Sequence, residues 1–470
     1  MSLRDKVERR REEMSDELPQ GWVMAALAQL TDNPKQDIIS GPFGSNLKSD
    51  EYVSEGVPII RLQNVDRNRL LEKNLRFITP QKARELSAHN FRAGDVVITK
   101  LGDPLGKACA IPESLQHGIV VADVVRVRID ASRFSRSYVL FAINSPTVAN
   151  QINSEMMGST RPRVNLNNIR DLNIPVAPLA EQRRIVAKLE RLLGKVDASQ
   201  QRLAKIPVLL KRFRQSVLAA ACSGRLTADW REETETSETD WKRFRLTDLL
   251  AEPLSNGRSV PDSASGFPVL RLTCLKNGRI DLAERKIGAW TADSAKKFLV
   301  FKGDFFVSRG NGSLSHVGRG GLVEETPDGV AFPDTLIRVR LRKETIEPSF
   351  LRQVWSAKPI REQIESAAHT TAGIWKISQK DLEEFVLPVP PLPEQQEIVR
   401  RVEGLFALAD QIELRLAKAR GQVDKLTPSL LARAFAGKLV PQDPNDEPAA
   451  ALLDRIKAHH EPKSRRDARK

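Results

Sequence analysis

The segment Gly102-Asp103-Pro104-Leu105-Gly106-Lys107-Ala108 is where this chain comes nearest to a catalytic motif. A glycine-rich turn ending in lysine can cradle phosphates when it leads from a strand into a helix. This one is a residue short and lacks the Ser or Thr that would hold magnesium, so no nucleotide site is expected. Gly310-Asn311-Gly312 and the glycines at 318, 320 and 321 lack the strand-turn-helix fingerprint with a distant acid, and read as flexible loops. An amino-methyltransferase would need a Pro-Pro-aromatic motif to hold a flipped base. No Asn/Asp-Pro-Pro-aromatic tetrad occurs. Six histidines without HxH or HExxH spacing give no expected metal site. The three cysteines, Cys109, Cys222 and Cys274, are scattered, which points to a reducing compartment and against a disulfide framework.

The charge is more informative. The formal net charge is +14 and the pI is about 9.7. A polyanion is the natural partner, and nucleic acid is the commonest one. No apolar run is long enough to cross a membrane, and the charged N-terminal stretch has no apolar core of a secretory signal. At 470 residues the chain exceeds one compact core.

The elements that would position any contact are laid out twice. Residues 174–197 read IPVAPLAEQRRIVAKLERLLGKVD and residues 387–410 read LPVPPLPEQQEIVRRVEGLFALAD. Glu181 matches Glu394, an offset of 213 residues that still holds where SVLAAACSGRL meets SLLARAFAGKL. A repeat kept in register points to two similar structural units. Shorter matches precede each copy: Val57–Leu62 with Phe267–Leu272, Ala93–Lys100 with Lys302–Arg309, and Ala122–Arg128 with Asp334–Arg340. These Val- and Ile-rich runs, bounded by Gly, Pro, Asn and Asp, read as strands and turns. Helical stretches lie between them at Gln81–Ser87 and Phe350–Ala367. Each variable unit is therefore a mixed α/β globule of roughly 150 residues.

The repeated segments carry a different period. Apolar residues fall at Ile185, Leu189, Leu192, Val196, Leu203, Ile206, Leu210, Phe213 and Val217, broken only by Ser199. The second copy places Ile398, Val402, Leu405, Ala409, Ile412, Leu416, Ala419, Val423, Leu426 and Leu430 in the same register. A heptad seam of this length signals a coiled coil. A helix over the first seam would be about 50 Å long. Two such seams related by a pseudo-two-fold axis would run antiparallel. Pro207 sits inside the first seam, and a kink or break is expected there; Pro428 threatens the second helix only near its end. Residues 179–226 hold eleven Lys/Arg against three Asp/Glu, a net of +8, whereas 392–439 hold eight against six, a net of +2.

With both seams and the PLxEQ entries in view, the chain resembles the specificity subunit of type I restriction-modification systems. The resemblance rests on IPVAPLAEQRRIVAKLERLL with Lys211–Arg231, and on LPVPPLPEQQEIVRRVEGLFALAD with LLARAFAGKL. It implies an α+β architecture: two mixed α/β target recognition domains separated by two long helices that form an antiparallel coiled coil with pseudo-two-fold symmetry. The expected divisions are an N-terminal segment (1–20), recognition domain 1 (21–173), a central spacer helix (174–231), recognition domain 2 (232–386), a C-terminal spacer helix (387–440) and a tail (441–470).

The resemblance further implies that each recognition domain reads one half of a bipartite, asymmetric site on double-stranded DNA. The helices would set the gap and dock two methyltransferase subunits for adenine N6 methylation, and two motor-nuclease subunits would complete the restriction enzyme. The family's specificity subunit has no catalytic centre of its own. No cofactor is expected in this chain; S-adenosylmethionine, ATP and magnesium would belong to the partner subunits. A cytoplasmic location is expected. The alternative is a non-catalytic coiled-coil adaptor or scaffold.

Base edges are read by Arg, Lys, Asn and Gln, and phosphates are held by Lys, Arg, Ser and backbone amides, mostly from loops. In the first unit the candidates are Lys48, Arg61, Asn64, Lys100, Lys107, Arg161 and Arg163. In the second they are Arg271, Lys276, Arg309, Asn311, Ser313, Arg319 and Lys376. Lys100 and Arg309 stand in matching places after matching strands.

Overall fold

The computed structural model describes residues 18–42, 46–154, 163–235, 241–371 and 373–460. The candidate Arg161 lies outside them. The chain divides into two compact units, Met1–Arg202 with Ala419–Lys470, and Leu203–Lys418. The divisions fall inside the two long helices, Leu179–Cys222 and Leu392–Asp424, so each unit contains part of both.

In the first unit, one four-stranded sheet has the order Arg76–Ile78, Val57–Ile60, His117–Val120, Asn90–Arg92. A second has the order Ile38–Ser40, Val124–Val127, Val96–Thr99, Ala108–Ala110. Val96–Thr99 and Val124–Val127 are buried at every position, so neither alternates apolar with polar residues; Arg126, the one charge among them, is buried and donates to the Gln36 carbonyl. Helices Arg136–Asn144 and Pro146–Ser154 cover this sheet, and Ile185, Leu189, Leu431 and Phe435 join the same core.

The second unit has a six-stranded sheet ordered Leu250–Asn256, Leu336–Leu341, Phe305–Ser308, Gly320–Leu322, Arg279–Ile280, Leu275–Lys276. A ribbon of Gly310–Asn311, Ile374–Lys376 and His369–Thr371 stands apart from it. The helical stretch expected at 350–367 is two helices, Pro348–Trp355 and Lys358–Ala367; Pro359 has no N–H to continue the first helix and sits in the first turn of the second, where none is needed.

The glycine segments are not loose loops. Gly310–Asn311 and Gly320–Leu322 are strands, and a Cβ on Gly320 would lie 2.2 Å from the Phe305 ring. Close packing of a strand on an aromatic ring requires glycine there. The Gly102–Ala108 segment connects two antiparallel strands, Val96–Thr99 and Ala108–Ala110, instead of entering a helix. It therefore lacks the geometry of a phosphate loop.

The expected break at Pro207 does not occur: the helix runs through it from Leu179 to Cys222. Proline's fixed φ lies in the helical range, and Pro207 sits at an exposed position where the missing N–H meets solvent. The second helix ends at Asp424 and a new one begins at Leu426, which places Pro428 in a first turn whose N–H groups have no intrahelical partner anyway.

All nine apolar residues of the first seam are buried or half-buried. In the second seam Ile398, Val402, Ala409 and Leu416 are buried, but Ile412 is 36% exposed and Leu426 is 45% exposed. Leu426 falls at the start of the new helix, where the register restarts. Within the second unit Arg214 donates to Asp410 at 2.6 Å and Glu413 at 2.8 Å. Further along, Arg401 reaches Asp229 at 2.6 Å and the Leu226 carbonyl at 2.9 Å. Partner numbers fall as the chain is followed forward from Arg214 to Asp229, just past the end of the first helix, so these two stretches of chain run antiparallel in this unit. In the first unit Gln200 donates to Asp424 at 3.1 Å.

The C-terminal stretch from 441 is not simply a tail. Asp446 accepts two bonds from Arg184, at 2.6 and 3.2 Å, the Ala449 amide donates to the Gly21 carbonyl, and Leu453 is buried. Apolar residues at Ala449 and Leu453 close the first unit's core, a role too short in sequence to leave a periodic signal.

Candidate nucleic-acid interface

Each PLxEQ motif builds the same fastening. The Trp22 indole donates to Glu181 Oε2 at 2.9 Å, and the Trp241 indole donates to Glu394 Oε2 at 2.8 Å. Gln182 accepts from the Ser135 amide at 3.2 Å and donates to the Ala177 carbonyl at 2.9 Å. Gln395 accepts from the Glu347 amide at 2.8 Å and donates to the Thr345 and Pro390 carbonyls. Ser135 and Glu347 are the caps of matching helices in the two variable units. The four Glu/Gln side chains are buried, at 0–1% exposure. They hold each recognition unit to the start of a long helix, a role the sequence reading did not assign.

A second matching device stiffens the sheets. Asp95 pairs with Arg128 and caps the Arg92 amide, while Asp304 pairs with Arg340 and caps the Phe301 amide. Both aspartates belong to the repeated Gly-Asp turns.

Against this common frame the contact candidates separate. In the first unit, Asn64 is fully buried, accepts from the Arg61 amide and donates to the Leu71 carbonyl. It has no surface to offer DNA, because a turn that folds back on itself uses its whole amide. The Arg61 guanidinium donates to the Asn74 carbonyl at 2.7 Å and lies over the Tyr52 ring. Lys107 faces Asp66 at 3.4 Å. Lys48 is exposed.

Lys100 and Arg309 do occupy the same backbone site. The Lys100 amide donates to the Asp123 carbonyl and its carbonyl accepts from Val164; the Arg309 amide donates to the Thr335 carbonyl and its carbonyl accepts from Ile377. The side chains differ. Lys100 is 9% exposed and its ammonium donates to Ser40 Oγ at 2.5 Å. Burial, and then the nearby Arg163, hold the Lys100 ammonium below the usual lysine range. Arg163 in turn meets Asp123 at 3.0 Å.

In the second unit Arg271 faces Asp262 at 3.5 Å. Lys276 bridges Asp281 and Glu284, and those two carboxylates hold its ammonium well above the usual lysine range. Arg309, Arg319 and Lys376 are exposed and make no ion pair with any described residue. The fold brings them together with two more candidates. Asn311 follows Arg309 and accepts from the Ser313 amide, Lys376 pairs across from Gly310, and the Arg319 carbonyl accepts from the Ser308 amide. A cavity of about 210 Å³ beside them is lined by Leu272, Thr273, Leu275, Ser308, Asn311, His316 and Arg319. This cationic, hydrogen-bonding surface suits an anionic ligand with donor and acceptor edges.

Among the described residues no group of His, Cys, Asp and Glu could hold a metal ion. Burial pushes the thiols of Cys109, Cys222 and Cys274 up to about 12, which keeps them unreactive. Among the described residues no helix is long and apolar enough to cross a membrane.

Fold and site together define a tandem recognition protein, with one frame built twice and an unlike surface on each copy. Residues 44–208 and 238–418 each match the family described as the type I restriction modification DNA specificity domain. The chain is 33% identical over 462 residues to the EcoKI specificity subunit of Escherichia coli K12, covering 94% of this chain and 96% of that one. It is likewise 33% identical to the StySPI specificity subunit of Salmonella potsdam, with the same coverage. The chain belongs to the specificity subunits of type I restriction enzymes. A solved chain from a type I restriction-modification assembly superposes with a TM-score of 0.64 at 19% identity, covering 90% of this chain and 99% of that one. The HsdS subunit of Thermoanaerobacter tengcongensis gives 0.56 at 20% identity, covering 90% and 98%.

Proposed function

We propose that each unit reads one half of a bipartite, asymmetric sequence in double-stranded DNA, and that the long helices pair as an antiparallel coiled coil that sets the gap. The single observation that carries this reading is the repeated fastening of Glu181 with Gln182 and of Glu394 with Gln395. It gives two recognition surfaces the same mounting, while the surfaces themselves differ at Lys100 and Arg309. A shared mounting with unlike readers suits an asymmetric target. Half-sites in successive major grooves lie about 34 Å apart, and a helix of 44 residues extends about 66 Å.

The helices also dock two methyltransferase subunits, which methylate adenine at N6. With two motor-nuclease subunits the assembly restricts DNA. Exposed apolar side chains on the long helices, Val208, Leu209, Leu408 and Leu414, at 51–75% exposure, support a protein partner there. S-adenosylmethionine, ATP and magnesium belong to the partners, this chain supplies no catalytic group, and the assembly is cytoplasmic. A pull-down of methyltransferase subunits from the host, followed by mapping of N6-methyladenine in its genome, tests the reading. A split methylated motif that disappears on deletion of this chain is the expected result. An intact system without such a motif would leave the coiled-coil scaffold as the better reading.

A further inference from the structure

The strand Ile374–Lys376 carries an exposed apolar residue beside Lys376, which makes no ion pair with any described residue. Ile374 is 46% exposed. Side chains alternate faces along a strand, and Trp375 packs against the second unit's core. That anchor turns Ile374 and Lys376 to the other face. There they flank Gly310, whose missing Cβ would lie 3.4 Å from Lys376 Cγ and 3.6 Å from Ile374 Cγ2. Glycine at 310 therefore leaves this face open between an apolar group and a cation. Arg309 is the next residue, and Asn311 pairs with Trp375.

A β-ribbon fits the major groove, where the thymine methyl is the apolar feature of the base edges. An aliphatic side chain beside the Lys376 cation matches such a groove better than it matches bulk water. We propose that Ile374 is a specificity-determining residue that contacts a thymine methyl in the half-site read by the second unit, with Lys376 on an adjacent phosphate. The inference rests on the DNA-reading function proposed above.

The test uses the full chain, purified from its host with the methyltransferase subunits assigned above, and a pool of duplexes randomised over both half-sites. If the wild-type protein selects no split consensus, the underlying reading fails. If it selects one, Ile374→Ala is expected to lose a thymine preference at one position of one half-site and to leave the other half-site unchanged. Replacing that thymine with uracil is expected to weaken wild-type binding about fourfold, the worth of one buried methyl-sized group, and to leave Ile374→Ala binding unchanged. An unaltered consensus, a uniform loss on all sequences, a persisting uracil effect or loss of the partner subunits would overturn the proposal. Should Ile374→Ala unfold in a thermal melt, Ile374→Val is used, with a reduced uracil effect expected.

Discussion

Arg231 donates to Glu394 inside the second unit, with side-chain exposures of only 7% and 1%. Thr227 and Trp241 complete the carboxylate's partners. Among the described residues the matching Glu181 keeps only its tryptophan bond, and its buried Oε1 has no hydrogen-bond partner there. The C-terminal copy supplies Val440 and Pro444 where the first supplies Thr227 and Arg231. Removing one partner of a buried ion pair strands the other. Glu394→Ala should therefore destabilise the second unit by about 3–5 kcal/mol, and Glu181→Gln should be far milder. Denaturant unfolding followed by hydrogen exchange in each unit measures both.

The same asymmetry predicts a pH dependence. Burial raises the Glu181 pKa, offset in part by the Trp22 bond and Arg184, while Asp446 adds to the rise. A carboxyl with a raised folded-state pKa binds more protons folded than unfolded. The first unit should lose stability as pH rises from the unfolded value of about 4.3 through the raised folded value. Glu181→Gln should flatten that part of the stability profile. Parallel profiles for wild type and variant in a thermal-melt series would contradict the assignment.

Arg309 is exposed and makes no ion pair with any described residue, so its loss should be felt by DNA and not by the fold. Arg309→Ala is expected to relax one position of one half-site by about 1–3 kcal/mol if it reads a guanine. Equal loss on every duplex in a competition assay would make it a phosphate contact instead.

Asn64 should behave in the opposite way. Asn64→Ala strands the Arg61 amide and the Leu71 carbonyl in a buried turn, at a cost of about 1–3 kcal/mol. A lower melting temperature with an unchanged DNA consensus is expected.

Shortening both long helices by one heptad, about 10 Å, should change the gap between half-sites and leave their bases alone. Sequencing the methylated motif reads both quantities. Altered half-site bases would count against the helices as a ruler.

Much of this architecture was legible in the chain. Strand runs such as Val96–Thr99, the seam from Ile185 to Val217 and the 213-residue repeat are periodic, and periodicity is a local property that follows from backbone geometry. The positive charge, and the missing catalytic motifs, also followed from residue types and spacing. Tertiary structure alone decided which cations are available. Lys100 and Arg309 look alike in sequence, but Ser40, 60 residues away, takes up the first, and no described carboxylate approaches the second. The same holds for Asn64, hidden by its own turn, for Pro207, tolerated at an exposed helix position, and for Arg184, engaged by Asp446 from 262 residues away. Burial and ion pairing depend on which distant segments meet, and no local pattern encodes that meeting.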